Sequence, residues 1–333
     1  MKAQVIHSFG DPSLFQSADL PRPAVIPGHV LIRVAATSVN PVDTKIRKGV
    51  LSGISPQLPA VLHGDVAGVV EEVGEGVTAF HPGDEVYACA GGVKGTPGGA
   101  LADYMLADAA LVASKPKQLS MQEAAALPLV AITAWEGLID RAGVQADQHV
   151  LVHAATGGVG HIAVQLAKWA GATVSVTGST EDKLAVARDM GADHVINYRT
   201  QSVAEYVETL TAGDGFDLVF DTVGGDNLDR SFEAAKLNGT VVTIAARSTH
   251  DLSPLHGKGL NLHVVFMLIP LLHQTNRERH GQILTKVAQI ADEGKLRPLL
   301  DPRTFTFEEV AEAHRHLESG QAVGKVTLVN ERF

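Results

Sequence analysis

The sequence predicts an α/β protein of two domains, one β-rich and one built on a doubly wound parallel sheet. Three observations predict it. A chain of 333 residues is longer than one ordinary hydrophobic core organises. Between residues 149 and 268, short apolar runs alternate with segments of helical periodicity, the pattern of a parallel sheet covered on both faces. Before residue 125 the texture changes to β-like runs punctuated by Gly and Pro, as in a compact, mostly antiparallel domain.

In chain order, "GHVLIRVAATSVN" (28–40), "GDVAGVVEEVGEGV" (64–77) and "DEVYACAGG" (84–92) supply strands of the first domain. "HVLVHAA" (149–155) opens the second as a buried strand, and the helix after it sets Val159, Ala163, Leu166, Ala167 and Ala170 on one face. Strands 172–178, 194–198, 216–224, 239–246 and 260–268 come next, separated by helices at 181–190, 202–211 and 227–237. The helix at 181–190 begins with acids and is followed by Gly191, as the helix dipole and C-cap preferences favour. A helix at 280–294 and a last strand at 324–330 cannot extend the six-stranded set without a long crossover. They are expected to return to the first domain, which is then discontinuous: 1–129 with 269–333, against 130–268 for the parallel-sheet domain.

Composition narrows the class. Hydrophobic residues at 45% and charged residues at 19% describe a globular chain. No apolar run reaches the roughly 20 residues of a membrane span, and the nearest, 263–273, is broken by Pro270. The first residues lack the apolar stretch of a signal peptide. A soluble, cytoplasmic protein is expected, without membrane partners. The formal net charge of −10, with no basic tract, disfavours nucleic acid. The single cysteine, Cys89, excludes an intrachain disulfide and a Cys-rich zinc site.

"ATGGVG" (155–160) fits a dinucleotide-binding turn with alanine at its first glycine position. Thr156, Gly157, Gly158 and Val159 are the expected cradle. Gly157 lets backbone approach a pyrophosphate, Gly160 lets the helix pack closely on the strand, and the phosphates meet free N–H groups at the helix N-terminus. The motif lies after a strand, before a helix and at the head of βαβαβ, the context that gives it meaning. The second strand selects the nucleotide. Where an NAD site carries an acid on the ribose, this chain has Gly178, then Ser179, with Lys183 one turn on. A missing carboxylate removes repulsion toward a 2′-phosphate, and a hydroxyl and an ammonium serve one. NADPH is the expected cofactor; the alternative is that Lys183 is a solvated helix residue and that Glu181 or Asp182 holds a ribose.

Several segments together resemble the zinc-independent quinone oxidoreductase branch of the medium-chain dehydrogenase/reductases, which includes the zeta-crystallins. They are "VNPVDTKIRKG" (39–49), "GDVAGVVEEVGEGVTAFHPGDEV" (64–86), "EAAALPLVAITAWEGL" (123–138), "AATGGVGHIAVQLAKWAGA" (154–172), "GADHVINYR" (191–199) and "LESGQAVGKVTL" (317–328). The resemblance covers nearly the whole chain. It implies a GroES-like β domain plus a Rossmann domain, and NADPH-dependent reduction of quinones or α,β-unsaturated carbonyls.

Zinc relatives carry a cysteine where this chain has Asn40, and a histidine within "GHE". Here the stretch reads "HGD" (63–65), so the ligand position holds Gly64 and His63 reads as structural. No metal is expected. Without a Lewis acid to hold an alkoxide, reversible alcohol oxidation is disfavoured, whereas a conjugated acceptor delocalises its own charge.

By resemblance Asn40 lies near the nicotinamide and Thr133 near its ribose or amide. The alternatives are a turn residue before Pro41 and a helix residue bonded to its own backbone. Asp43 reads as a helix cap or a partner of Lys45 or Arg47. Tyr198 matches a contact to the adenosine phosphate region, with half-buried packing as the alternative. Ile244 and Ala245 are expected to line the nicotinamide half, Arg247 to reach a phosphate or face solvent. Gly324 and Lys325 match a position closing over the cofactor, Lys325 being otherwise a surface residue. In relatives the strand over 261–268 pairs with its twin, so a homodimer is expected. Two other readings stand: a non-catalytic crystallin-like or RNA-binding protein that holds NADPH, and a zinc alcohol dehydrogenase with atypical ligands.

Overall fold

In the computed structural model, six strands line up in parallel: His194–Asn197, Thr173–Gly178, His149–Val152, Phe216–Asp221, Ala235–Thr243 and Asn261–Val264. Counted along the chain this is the order 3-2-1-4-5-6 of a Rossmann sheet. Val150, Leu151, Val152, Val174, Val176, Val219, Val241 and Val242 are all buried, which is why these strands read as nearly continuous apolar runs. The helices Gly158–Trp169, Glu181–Asp189, Val203–Thr211 and Asn227–Ala234 form the crossovers. Thr180 accepts from Lys183 N to start the second, and Ser202 with Glu205 makes a reciprocal cap for the third. Phe216, Phe232 and Tyr206 fill one face of the core together with Leu151 and Val219.

Two expectations are corrected by these elements. The helix expected over 227–237 stops at Ala234, and strand begins at Ala235. The Lys258 ammonium ends it by donating to the carbonyls of Phe232, Glu233 and Ala235 at 3.2, 2.6 and 2.8 Å. The strand expected over 260–268 is confined to Asn261–Val264; Pro270 lies in the first turn of a short helix, Ile269–His273, and cannot prolong a ladder.

The structure describes all residues, Met1–Phe333, and they divide into two compact units: Val130–Met267, just described, and Met1–Leu129 with Leu268–Phe333. The latter is the GroES-like unit. Its main sheet has seven strands, with Leu300–Thr306, Lys325–Val329, His29–Ser38, Asp65–Val73, Glu85–Cys89 and Val112–Ser114 in line and Tyr104–Asp108 also on His29–Ser38. All of its pairings are antiparallel except Leu300–Thr306 with Lys325–Val329. A smaller three-stranded sheet joins Gln16–Asp19, Lys2–Ile6 and Ala60–Val61. Register in the main sheet gathers polar residues from distant parts of the chain. Thr327 faces Ser38, Thr37 faces Val66, and Val39 N donates to Val326 O at 2.9 Å. Residues 38–40, 65 and 325 are thereby drawn to one end of the sheet. No helix is long and apolar enough to cross a membrane.

Candidate functional site

In the Rossmann unit, the strand His149–Val152 runs into a tight turn over 153–157, with Ala154 at φ +53. The helix Gly158–Trp169 starts directly after, its N-cap being Gly157 with no side chain to satisfy the first N–H groups. Those groups are an anion cradle by construction. A Cβ at Gly160 would stand 2.2 Å from Ala154 O, so only glycine lets the turn close on the helix. At Gly157 the nearest atom would be Ala154 O at 3.2 Å, a milder constraint.

Neighbouring strand ends are tied to this turn. His153 Nδ1 lies 3.0 Å from Thr177 Oγ1, and Thr222 Oγ1 donates to His153 O at 2.7 Å. Asp221 Oδ1 accepts from Val223 N and Gly224 N at 2.8 and 3.0 Å, shaping the turn after its strand. Gly224, at φ +71, abuts Ala245: a Cβ there would meet Ala245 O at 2.2 Å. Burial pulls the His153 imidazole down to about 4, against the opposing pull of Asp221, so the ring is neutral at ordinary pH.

The structure brings Gly178, Ser179, Tyr198 and Arg199 to the C-terminal ends of two adjacent strands, Tyr198 N donating to Gly178 O at 3.3 Å, with Lys183 in the first turn of the helix Glu181–Asp189. Tyr198 and Arg199 are exposed, Ser179 and Lys183 half-buried. Glu181 and Asp182 lie in the first turn of the following helix, past the strand end. The Lys183 and Arg199 side chains are spent on no partner within the chain. Gly178 is glycine for a reason the sequence did not disclose: a Cβ would meet Leu184 Cδ2 at 2.6 Å, so the site is kept bare by packing. Ile244 and Ala245 stand at the end of the Ala235–Thr243 strand, and Arg247 beyond it is exposed. Thr133 is 5% exposed in the helix Pro128–Trp135.

The GroES-like unit holds a buried polar cluster that sequence reasoning met only in part. Asn40 caps the helix Pro41–Arg47, and its N–H donates to Asp43 Oδ2 at 2.8 Å. Asp43 is therefore a cap, one of the two roles its sequence context allows. Arg47 pairs with Glu318 and with Gly10 O instead. Asp65 is fully buried; its Oδ2 accepts from Ser38 Oγ and Asn40 Nδ2, both at 2.8 Å, and its Oδ1 from Leu129 N at 2.8 Å. Lys325 corrects an expectation. It is 2% exposed and therefore not the surface residue that one of its two readings made it. Its ammonium meets Asn40 Oδ1, with Val39 O and Asp65 Oδ2 each at 3.4 Å, which uses its three donors. Gly324 serves the backbone, at φ +75 with Leu299 O 2.2 Å from where a Cβ would stand. Asp65 and Ser38 were the residues missed; the available signal was a carboxylate opening the apolar run "DVAGVV".

Burial pushes the Asp43 carboxyl up to about 7, with Asp65 adding to the rise. Because the folded value lies above the ordinary 3.8, the native state holds the proton more tightly. Stability on this account is fully present below about pH 4 and is lost as pH rises through about 7. Asp43→Asn keeps an acceptor for Asn40 N–H, and it is expected to flatten the dependence of the melting temperature on pH over that window. A melt series across the window reads this directly, and an unchanged slope would dismiss the assignment.

The same cluster answers for a metal. His63, at φ +70, stacks on His314 with their Nε2 atoms 2.9 Å apart, and burial drives its imidazole down to about 3. A Cβ at Gly64 would be squeezed between Gly91 O and Cys89 Sγ, at 3.0 and 3.1 Å. Cys89 is buried, and burial beside Asp65 and Asp43 pushes its thiol up, so it is no reactive thiolate. No three His, Cys, Asp or Glu side chains come together as a metal site. The residues present do not fit the catalytic zinc of the alcohol dehydrogenases.

Two family models match the chain: the alcohol dehydrogenase GroES-like domain over residues 26–117 and the zinc-binding dehydrogenase over 190–328. The quinone oxidoreductase of Homo sapiens is 31% identical over 99% of this chain and 98% of its own. The chain belongs to the medium-chain dehydrogenase/reductase family. Within this family it is also similar to the NADPH-dependent alkenal/one oxidoreductase of Arabidopsis thaliana, a chloroplastic protein, at 35% identity over 98% of this chain and 79% of that one. An alcohol dehydrogenase superfamily protein from Novosphingobium aromaticivorans superposes with a TM-score of 0.95 at 41% identity, covering 99% of this chain and all of that one. This medium-chain dehydrogenase/reductase is thus an oxidoreductase, with relatives named for quinones and for alkenals and enones.

Proposed function

We propose that the protein is an NADPH-dependent reductase of quinones or α,β-unsaturated carbonyls that works by hydride transfer without a metal. The observation that carries this reading is the bare helix N-terminus at Gly157–Gly160 beside a strand that ends in Gly178 rather than a carboxylate, with Lys183 and Arg199 uncommitted nearby in the chain. Thr156, Gly158 and Val159 present backbone N–H groups to a pyrophosphate, while Gly157, whose own N–H donates to Ala154 O at 2.9 Å, keeps the approach free of a side chain. Ser179, Lys183 and Tyr198, with Gly178 at the end of its strand, take the 2′-phosphate end. Ile244, Ala245 and Arg247 belong to the same carboxyl-end rim, where parallel sheets of this order bind nucleotides. The reduced nicotinamide supplies the hydride. Asn40 and Thr133 are assigned to its reacting end, Asn40 as a donor to the acceptor's oxygen. A quinone or enone spreads the arriving charge over a conjugated system, which one N–H and water can complete.

Oxidation of NADPH in the presence of 1,4-benzoquinone and of a short enone tests the reaction; no turnover with either class would end it. Lys183→Ala tests the nucleotide. It is expected to weaken NADPH by roughly tenfold, the worth of one exposed charge-assisted contact, and to leave NADH unchanged. Equal effects on both nucleotides would remove the 2′-phosphate assignment.

The open edge strand Asn261–Val264 supports a homodimer. Val264 in it and Phe266 just beyond its end are 45% and 40% exposed, and an apolar edge left bare invites pairing. Sedimentation is expected to show a dimer that Val264→Lys with Phe266→Lys converts to monomer; a wild-type monomer would refute it.

A further inference from the structure

Apart from its glycine turn, the Rossmann unit lines up a serine, a histidine and a carboxylate. After the strand Ala235–Thr243 the chain runs as a loop to the helix Ser253–Lys258. In that loop Ser248 Oγ lies 2.5 Å from His250 Nε2, and His250 Nδ1 lies 2.8 Å from Oδ1 of Asp229, in the first turn of the helix Asn227–Ala234. The partners fix the protons. A carboxylate only accepts, so Nδ1 carries the ring hydrogen; Nε2 of the neutral ring then accepts, and the Ser248 hydroxyl donates to it. This is a nucleophile on a general base that is itself held by an acid. The His250 side chain is 9% exposed, with the Phe232 ring edge-on at 6.2 Å, while Ser248 is exposed and open to a ligand. Asp251 does not compete for the imidazole: its Oδ1 accepts from Ser253 N and Ser253 Oγ at 2.9 and 2.6 Å. The backbone N–H groups of Ser248 and Thr249 donate to no acceptor in the chain.

We propose that Ser248, His250 and Asp229 form an acyl-transfer site that hydrolyses small activated esters, an activity separate from hydride transfer. Ser248 Oγ bonds to the ester carbonyl carbon as its proton passes to His250 Nε2. The carbonyl oxygen becomes an oxyanion, which the Ser248 and Thr249 N–H groups meet. The bond to the leaving group then breaks, and His250 returns its proton to that oxygen. Water repeats the sequence on the acyl-serine, giving its proton to His250 and releasing the carboxylic acid, which restores the serine. Asp229 is a positioning residue: it holds the ring in one tautomer and steadies the imidazolium. Asp229 is 56% exposed and Ser248 lies at the surface, so the site excludes little water and suits esters with a good leaving group rather than amides. No step uses a nucleotide, so the activity stands or falls independently of the reductase reading.

The test supplies p-nitrophenyl acetate to the full chain without nucleotide and follows release of p-nitrophenol. Ser248→Ala and His250→Gln are each expected to lower the rate by about a hundredfold, the low end of what a positioned base contributes. The double variant should fall no further than either single one. Mass spectrometry of protein quenched early is expected to find the acetyl group on Ser248. Asp229→Asn should lower kcat about tenfold with KM unchanged, and Asp229→Glu should recover part of it. A low-field proton resonance from His250 Nδ1 is expected in wild type and not in Asp229→Asn, a signature that a merely structural carboxylate would not govern in step with kcat. An undiminished rate in Ser248→Ala would overturn the proposal. So would acetyl groups found only on other residues, multiplying losses in the double variant, or Ser248 acylated as fast in His250→Gln as in wild type. Should His250→Gln not fold, Ser248→Ala, at an exposed position, decides alone.

Discussion

Gly160→Val abolishes nucleotide binding. The first added carbon alone would stand 2.2 Å from Ala154 O, 2.9 Å from Ala154 C and 3.0 Å from Ala155 Cα, all of them backbone. Backbone cannot rotate aside as a side chain can, so the turn over 153–157 must lift off the helix. The N–H groups of Gly158 and Val159 then lose their common aim, and an anion site made only of aimed dipoles has nothing in reserve. NADPH affinity is expected to fall by more than about a hundredfold, with an overpacking cost of about 1–3 kcal/mol to the Rossmann unit. Gly157→Ala is the control. Its Cβ meets one atom at 3.2 Å and its φ of −80 suits alanine, so the unit keeps its stability and any loss of binding reports a methyl in the way of the pyrophosphate, not a lifted turn. Titration of NADPH fluorescence with a thermal melt separates the two variants; a Gly160→Val protein that binds normally contradicts the cradle.

Asp65→Ala is expected to cost the GroES-like unit about 3–5 kcal/mol, the effect of stranding one half of a buried ion pair. Asp65 is 0% exposed and accepts from Ser38 Oγ, Asn40 Nδ2, Leu129 N and the Lys325 ammonium. With it gone, a buried cation keeps only neutral oxygens for company, and the backbone N–H of Leu129 loses the carboxylate as an acceptor. Asp65→Ala/Lys325→Met should recover much of the loss, because removing both charges avoids the stranded one. Chemical denaturation followed by a probe in this unit reads the difference. A double variant less stable than Asp65→Ala would show that the pair is not what makes the single change costly.

The Rossmann unit was legible because its signals are local. A period near 3.6 comes after each apolar run, and "ATGGVG" sits where a strand meets a helix. What local pattern could not show is competition for the same atoms. The helix over 227–234 ends early because Lys258, over twenty residues later, draws off its last carbonyls. Gly178 looked like an opened phosphate site, yet Leu184 fills the space a Cβ would take. One reading of Lys325 was a surface residue, because lysines are seldom interior. Its partners within the chain are Asn40 and Asp65, which lie 285 and 260 positions away in sequence. A pairing that long leaves no periodic trace, and strand register alone creates it.

The strand Lys325–Val329 lies between Leu300–Thr306 and His29–Ser38, inside the main sheet of the GroES-like unit. On a ribosome this imposes an order of events. Residues 130–267 are contiguous and can fold as soon as they emerge. The preceding 129 residues cannot complete their sheet, with Ala36–Ser38 lacking their partner strand and Asp65 its cation, until residue 329 has been made. Folding can therefore finish in the middle of the chain before it finishes in the residues made earlier.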